Sequence, residues 1–89
     1  MNKILLITTK GCVACKTMRN LILSALKEVK NKKIQFDEQD VSKLDKGFLK
    51  ENKITDFPTM VFFRNENLVF QYSGTMPVIV IFRWIENFF

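Results

Sequence analysis

The sequence predicts an α/β fold: a four-stranded mixed sheet with helices on both faces, in the order β-α-β-α-β-β-α. Three observations lead there. A nearly all-apolar run is followed by a long stretch of helical periodicity and then by a second extended run. A strand, crossover helix and strand make a parallel pair. Two further extended runs flank Asn65-Glu66-Asn67, a spacing that makes a tight hairpin and so an antiparallel pair. Finally, an apolar stripe at helical spacing ends the sequence. With 89 residues there is room for one domain, residues 1–89, because a second would lack the residues to bury its own core.

The first element is Lys3 to Thr8, whose unbroken apolar interior suits a strand buried on both faces of a sheet. Thr9-Lys10-Gly11 breaks it. From Cys12 to about Lys30, Ala14, Met18, Leu21, Ile22, Ala25, Leu26 and Val29 recur at helical steps. Lys16, Arg19, Asn20, Lys27 and Lys30 take the other side, as in an amphipathic helix. Asn31-Lys32-Lys33 closes this helix, and Ile34 to Val41 reads as the second strand. Ser42 opens a short helix, with Asp45 completing a capping box and Leu44, Phe48 and Leu49 as its apolar face. Asn52 to Phe57 is a connection. Thr59 to Arg64 and Leu68 to Ser73 are strands joined by a three-residue turn. Gly74-Thr75-Met76-Pro77 introduces the last helix, with Thr75 as N-cap, Pro77 in the first turn, and Val78, Ile81, Phe82, Ile85, Phe88 and Phe89 facing inward. The β-branched run Val78-Ile79-Val80-Ile81 carries a competing strand preference. Val80 and Trp84 lie beside the stripe, either taken in by a wide buried face or left as a partner-binding patch.

Composition narrows the function classes. The formal net charge is +5, and most of the cations fall between Lys10 and Lys53, interleaved with apolar residues. That is a solvated helix face rather than the clustered basic surface with aromatic or groove-reading residues that nucleic acid requires, so no nucleic-acid partner is expected. The charge steers encounters toward acidic partners. The opening apolar run is shorter than the core of a signal peptide and has no small-residue cleavage site after it. Val78 to Phe82 is far shorter than the ~20 residues that cross a bilayer. A cytoplasmic monomer without a membrane partner is the expectation.

Two cysteines and no histidine constrain the chemistry further. Imidazole catalysis is excluded, and a closed tetrahedral zinc site would need four ligands where the sequence offers two thiolates. No metal or other cofactor is expected; a reversible Cys12–Cys15 disulfide would be the redox centre. Cys-Val-Ala-Cys opening a helix, in a chain expected to meet a reducing compartment, points to redox work more than to a structural staple. Cys12 falls at the helix N-terminus, where unpaired N–H groups and the helix dipole favour negative charge. Lys10 and Lys16 are either solvated charges or added positive potential beside it. Its pKa is expected below the free value of ~8.5. Cys15, one turn on and facing inward, could resolve a mixed disulfide by attacking Cys12. A soft-metal carrier of Cu(I) is the alternative from another class, since thiolates select that ion.

The element order, with Cys12-Val13-Ala14-Cys15 at the first strand–helix junction, resembles the thioredoxin superfamily. Phe57-Pro58-Thr59 looks like that family's hydrophobic–cis-proline–threonine element, and Gly74 sits where thioredoxins carry a glycine opening the substrate groove. The resemblance implies a thiol–disulfide oxidoreductase acting on protein disulfides, with a separate reductase as partner. It implies a cis Phe57–Pro58 bond beside the dithiol, and substrate contacts from Gly11, Val13, Phe57, Pro58 and Gly74. Phe57 reads equally well as a core residue. The departures are specific. Leu6 stands where thioredoxins bury an acid beneath the dithiol, and Gly11 replaces the aromatic before the first cysteine. Neither residue between the cysteines is proline. The sequence opens directly on the strand that leads to the dithiol, without the extra N-terminal strand and helix of thioredoxins. That short form, with Thr9-Lys10 ahead of the dithiol, is similar to glutaredoxins and glutaredoxin-like thioredoxins, which makes glutathione a second candidate electron source. Gly74-Thr75 lacks the Gly-Gly and acid that hold glutathione there. Small copper-binding domains differ in element order and carry Met where this sequence has Lys10.

Overall fold

A computed structural model describes residues 1–89. Its elements are β1 (Asn2–Thr8), α1 (Val13–Lys27), β2 (Ile34–Asp40), a 3₁₀ turn (Val41–Lys43), α2 (Lys46–Glu51), β3 (Thr59–Arg64), β4 (Asn67–Ser73) and α3 (Val78–Phe88). The strands form one sheet in the order β2-β1-β3-β4. β1 runs parallel to β2 and antiparallel to β3, and β3 is antiparallel to β4. This is the mixed α/β sheet the element order predicts.

The sheet's centre is apolar on both sides because β1 and β3 are covered on both. Ile4, Leu6, Met60 and Phe62 pack under Met18, Ile22 and Ala25 of α1 and Ile81 and Ile85 of α3. Leu5, Ile7 and Val61 face the other way, toward Ile54 and the half-buried Phe48 and Leu49 of α2. Alternation along β1 therefore supplies two cores at once, which is why the run has no polar interior residue. α3 is a helix despite its β-branched start, because its apolar stripe has a helix-covered sheet face to join; burial outweighs the weaker local preference. Trp84 is taken in by the buried face: its ring lies 4.8 Å from Phe70 and 5.1 Å from Tyr72.

Several local expectations are corrected. α1 ends at Lys27, where the chain tightens into bonds from Glu28 N–H to Ala25 and from Val29 N–H to Leu26. Val29 still packs on the core from outside the helix, whereas Ala14 is exposed rather than on the buried stripe. Ser42 does not cap α2. Its N–H and hydroxyl both donate to Asp40, and the extended backbone at Leu44 interrupts the path, so Asp45 becomes the cap and accepts from Phe48 N–H at 3.0 Å. Thr75 is not the cap of α3; Pro77 holds that position without a side-chain bond. The hairpin turn is Asn65-Glu66, with Asn67 already paired to Arg64. Asn65 takes φ 58°, a left-handed conformation asparagine tolerates, and its side chain accepts from the Met1 ammonium at 2.6 Å.

Candidate redox site at the start of helix α1

The end of β1 delivers the chain into Thr9-Lys10-Gly11, where Gly11 takes φ +68°. No atom lies within 4 Å of where its Cβ would stand, so glycine is favoured there by backbone conformation and not by crowding. That turn sets Cys12 as the N-cap of α1, with extended φ −100° and ψ 99°. A sulfur replaces the usual oxygen of a cap: Cys12 Sγ accepts from Cys15 N–H at 3.0 Å.

Cys12 and Cys15 are joined as a disulfide, with Cα atoms 5.3 Å apart. Their accessibility differs. Cys12 is partly exposed, while Cys15 is buried at 3% and Leu6, fully buried, packs with Met18 and Ile22 of the same helix α1. Val13 is 78% exposed beside them, an apolar side chain facing solvent at the mouth of the site. A cavity of about 240 Å³ flanks the dithiol, lined by Thr8, Thr9, Gly11, Val13, Lys16, Arg19 and Glu38 as well as both cysteines. Lys10 is exposed and outside that lining; its charge acts on Asp40, whose carboxyl is held below its ordinary range mainly by hydrogen bonds from Ser42.

The proline loop reaches the same end of the sheet through register. Thr59 pairs with Ile7, so Pro58 and Phe57 come level with the point where β1 hands over to the cysteine turn. Phe57–Pro58 is cis and Pro58 is fully buried. The loop is pinned from three sides. Thr59, itself fully buried, donates from its hydroxyl to Asp56 C=O at 2.5 Å and lies 2.7 Å from Ser73 Oγ. Gly74 N–H donates to Pro58 C=O at 2.8 Å, and Gly74 has φ +108°. Gln71 donates to Asn52 C=O at 2.8 Å behind the loop. The side chain of Phe57 packs on the α2-side core, its core reading. None of the loops' backbone hydrogen bonds uses the N–H or C=O of Phe57.

Sequence reading overlooked Arg19 and Glu38. Glu38 pairs with Leu6 across β1 and β2, and its carboxylate accepts two bonds from Arg19, from Nε at 2.5 Å and a terminal nitrogen at 2.6 Å. The guanidinium holds that carboxyl below the usual carboxylate range. A signal was present: Arg19 stands four residues after Cys15, on the same side of the helix.

Comparison with known proteins agrees with this arrangement. A family model described as Thioredoxin matches residues 2–87. No curated protein sequence matches. Among solved structures, thioredoxin-2 of a malaria parasite, described as a component of its protein secretion machinery, superposes with a TM-score of 0.79 at 16% identity, over 98% of this chain and 82% of that one. Reduced Schistosoma mansoni thioredoxin pre-protein gives 0.77 at 20% identity, over 99% and 79%. Malassezia sympodialis thioredoxin gives 0.75 at 21%, over 98% and 74%. The solved structures share the fold, the cysteine pair is bonded at the start of α1, and the family model spans residues 2–87: the chain belongs to the thioredoxin family.

Proposed function

We propose that this protein reduces disulfides in other proteins through Cys12 and Cys15. The thiol–disulfide oxidoreductase chemistry follows from the family and the cysteine pair. The direction and substrate class are our reading, and one observation carries it: Cys12 and Cys15 are bonded to each other yet unequally exposed. In the reduced protein the Cys12 thiolate attacks a substrate disulfide, forming a mixed disulfide and releasing one substrate thiolate, which takes up a proton. Cys15 then attacks Cys12 Sγ and releases the second thiol. The chain ends oxidised, and a separate reductase supplies two electrons and two protons to restart the cycle.

Gly11 and Val13 around the cysteines, with Phe57, Pro58 and Gly74 from the loop at the same end of the sheet, would form the docking surface. The unused backbone groups of Phe57 support pairing with an extended peptide segment of the substrate. Lys10 and Lys16 add positive potential that favours acidic substrates, at a cytoplasmic monomer whose dithiol is its own redox centre.

The Cys15→Ser variant is expected to accumulate a mixed disulfide through Cys12, and Cys12→Ser to fall to the uncatalysed exchange rate. Mass spectrometry of the trapped adduct and a model-disulfide assay check both; exchange by Cys12→Ser would reverse the assignment. The reduction potential separates the physiological donors. A value near about −270 mV fits a thioredoxin-type reductase, and about −200 to −230 mV fits glutathione.

A further inference from the structure

Cys15 is 3% exposed, and Leu6, fully buried, packs with Met18 and Ile22 of the same helix α1. A thiolate formed there during resolution is largely shielded from water, which disfavours the charge. The buried acid that could take the proton is absent, and the charged groups on the adjoining cavity are three. Lys16 and Arg19 come from α1 and Glu38 from β2, whereas β1 and the loop contribute uncharged Thr8, Thr9 and Gly11. Asp40, also on β2, is engaged by Ser42 and acted on by Lys10 and Lys43, outside that lining. Lys16 follows Cys15 directly, about 100° around the helix, and is exposed. Arg19 is one turn along the same side, a rise of about 6 Å. Two of the five N–H donors of its guanidinium are held by Glu38, which fixes the group and leaves three without a protein partner. Both Glu38 oxygens are spent on Arg19, which makes that carboxylate a weak proton acceptor.

We propose that Arg19 is the group that makes Cys15 ionisable, a fixed positive charge on the cavity that stabilises the Cys15 thiolate, with Glu38 as its positioning residue. The inference rests on the dithiol being the exchanging pair. In the step concerned, the Cys15 S–H gives its proton to water and the thiolate attacks Cys12 Sγ. The bond from Cys12 to the substrate sulfur breaks, and that sulfur leaves with the electron pair and is then protonated.

The test uses the reduced full chain and a chromogenic aromatic disulfide, which releases one chromophore when Cys12 attacks and a second when Cys15 resolves. The second release is followed from about pH 5 to 10. Removing the charge in Arg19→Gln is expected to raise the pH midpoint by about one unit, a tenfold drop in thiolate at pH 7. The rate there falls only about threefold, because the more basic thiolate attacks faster, with a Brønsted coefficient of about 0.4–0.5. Above both midpoints the variant is then faster than the parent, a crossing that disturbed packing would not produce. Arg19→Lys should return the midpoint toward the parent, and Glu38→Gln, whose amide oxygen still accepts from the guanidinium while the opposing charge is gone, should leave it at or below the parent. The ion pair is half-exposed, so folding is expected to survive each change, as circular dichroism would show. A profile of Arg19→Gln that superposes on the parent overturns the proposal. So does a Glu38→Gln midpoint raised as far as expected for Arg19→Gln, the mark of a carboxylate base. Absence of the first chromophore in the parent would instead remove the dithiol reading itself.

Discussion

Leu6 shows how one residue couples packing to chemistry. It is fully buried, pairs with Glu38 on one side and Met60 on the other, and belongs to the cluster that seats α1. Replacing it with Asp would put a carboxyl at the position where thioredoxins bury an acid; burial there raises its pKa and makes it a useful proton acceptor. Leu6→Asp is therefore expected to speed the resolving step near pH 7 while lowering stability by about 3 kcal/mol or more, from lost apolar burial and a buried polar group. The penalty should grow as pH rises, because a carboxyl with a raised folded-state pKa favours the unfolded state once that state ionises. Denaturant titration at two pH values and resolution kinetics check both parts; a folded variant that resolves no faster sinks the kinetic claim. Gly74 makes a different residue-scale point. A Cβ there would meet only ordinary contacts with Tyr72, so φ +108° alone is what asks for glycine.

At the scale of an element, α2 depends on its cap. It has six residues, too few to be stable alone, and begins at Asp45, whose carboxylate accepts from Phe48 N–H. Gly47 stands inside it, where Ala would normally gain up to about 1 kcal/mol. Here a Cβ on Gly47 would come within 2.9 Å of the same Asp45 oxygen and push the flexible cap side chain off its bond. Losing the cap costs about 1 kcal/mol. Gly47→Ala is accordingly expected to be near neutral in the parent and stabilising by up to about 1 kcal/mol in an Asp45→Ala background. A double-mutant cycle by urea denaturation measures that coupling; equal effects in both backgrounds would mean the cap simply moves aside. The consequence is more than local, because Phe48 and Leu49 of α2 cover the sheet face beneath the Phe57 side chain.

At the scale of the whole molecule, charge sets the response to acid. The chain carries +5 at neutral pH, and every carboxylate protonated adds to that repulsion. Arg19 holds the Glu38 carboxyl below its ordinary value, through hydrogen bonding first and charge second. A carboxyl with a lowered folded-state pKa contributes stability that is fully present above the unfolded value of about 4.3 and disappears as pH falls through the folded one. The stability difference between the parent and Glu38→Gln should thus be constant from pH 7 down to about 5 and shrink below about 4. Denaturant titrations across that range check it; a difference that persists at low pH would assign the effect to packing. The observed β-α-β-α-β-β-α order is the one expected from the sequence.

By itself the sequence determined the elements, their order and the mixed sheet, because period-two and period-3.6 burial are local patterns and connection length sets strand direction. Cys12 and Cys15 stood out because their spacing coincides with a strand–helix junction, whereas Pro58, just ahead of β3, stood out only through the family resemblance of Phe57-Pro58-Thr59. Tertiary structure alone decided the rest. Whether Ser42 or Asp45 caps α2 turned on which hydrogen bond Asp40 formed, a competition worth about 1 kcal/mol between near neighbours. Trp84 found its place only when β4 presented Phe70 and Tyr72 to it. The Arg19–Glu38 pair joins residues nineteen apart, and its position beside the dithiol follows from the β1–β2 register and the seat of α1 on the sheet. Periodicity shows which face of an element is buried; what stands opposite that face is set by packing between elements, and the cavity beside Cys15 exists only there.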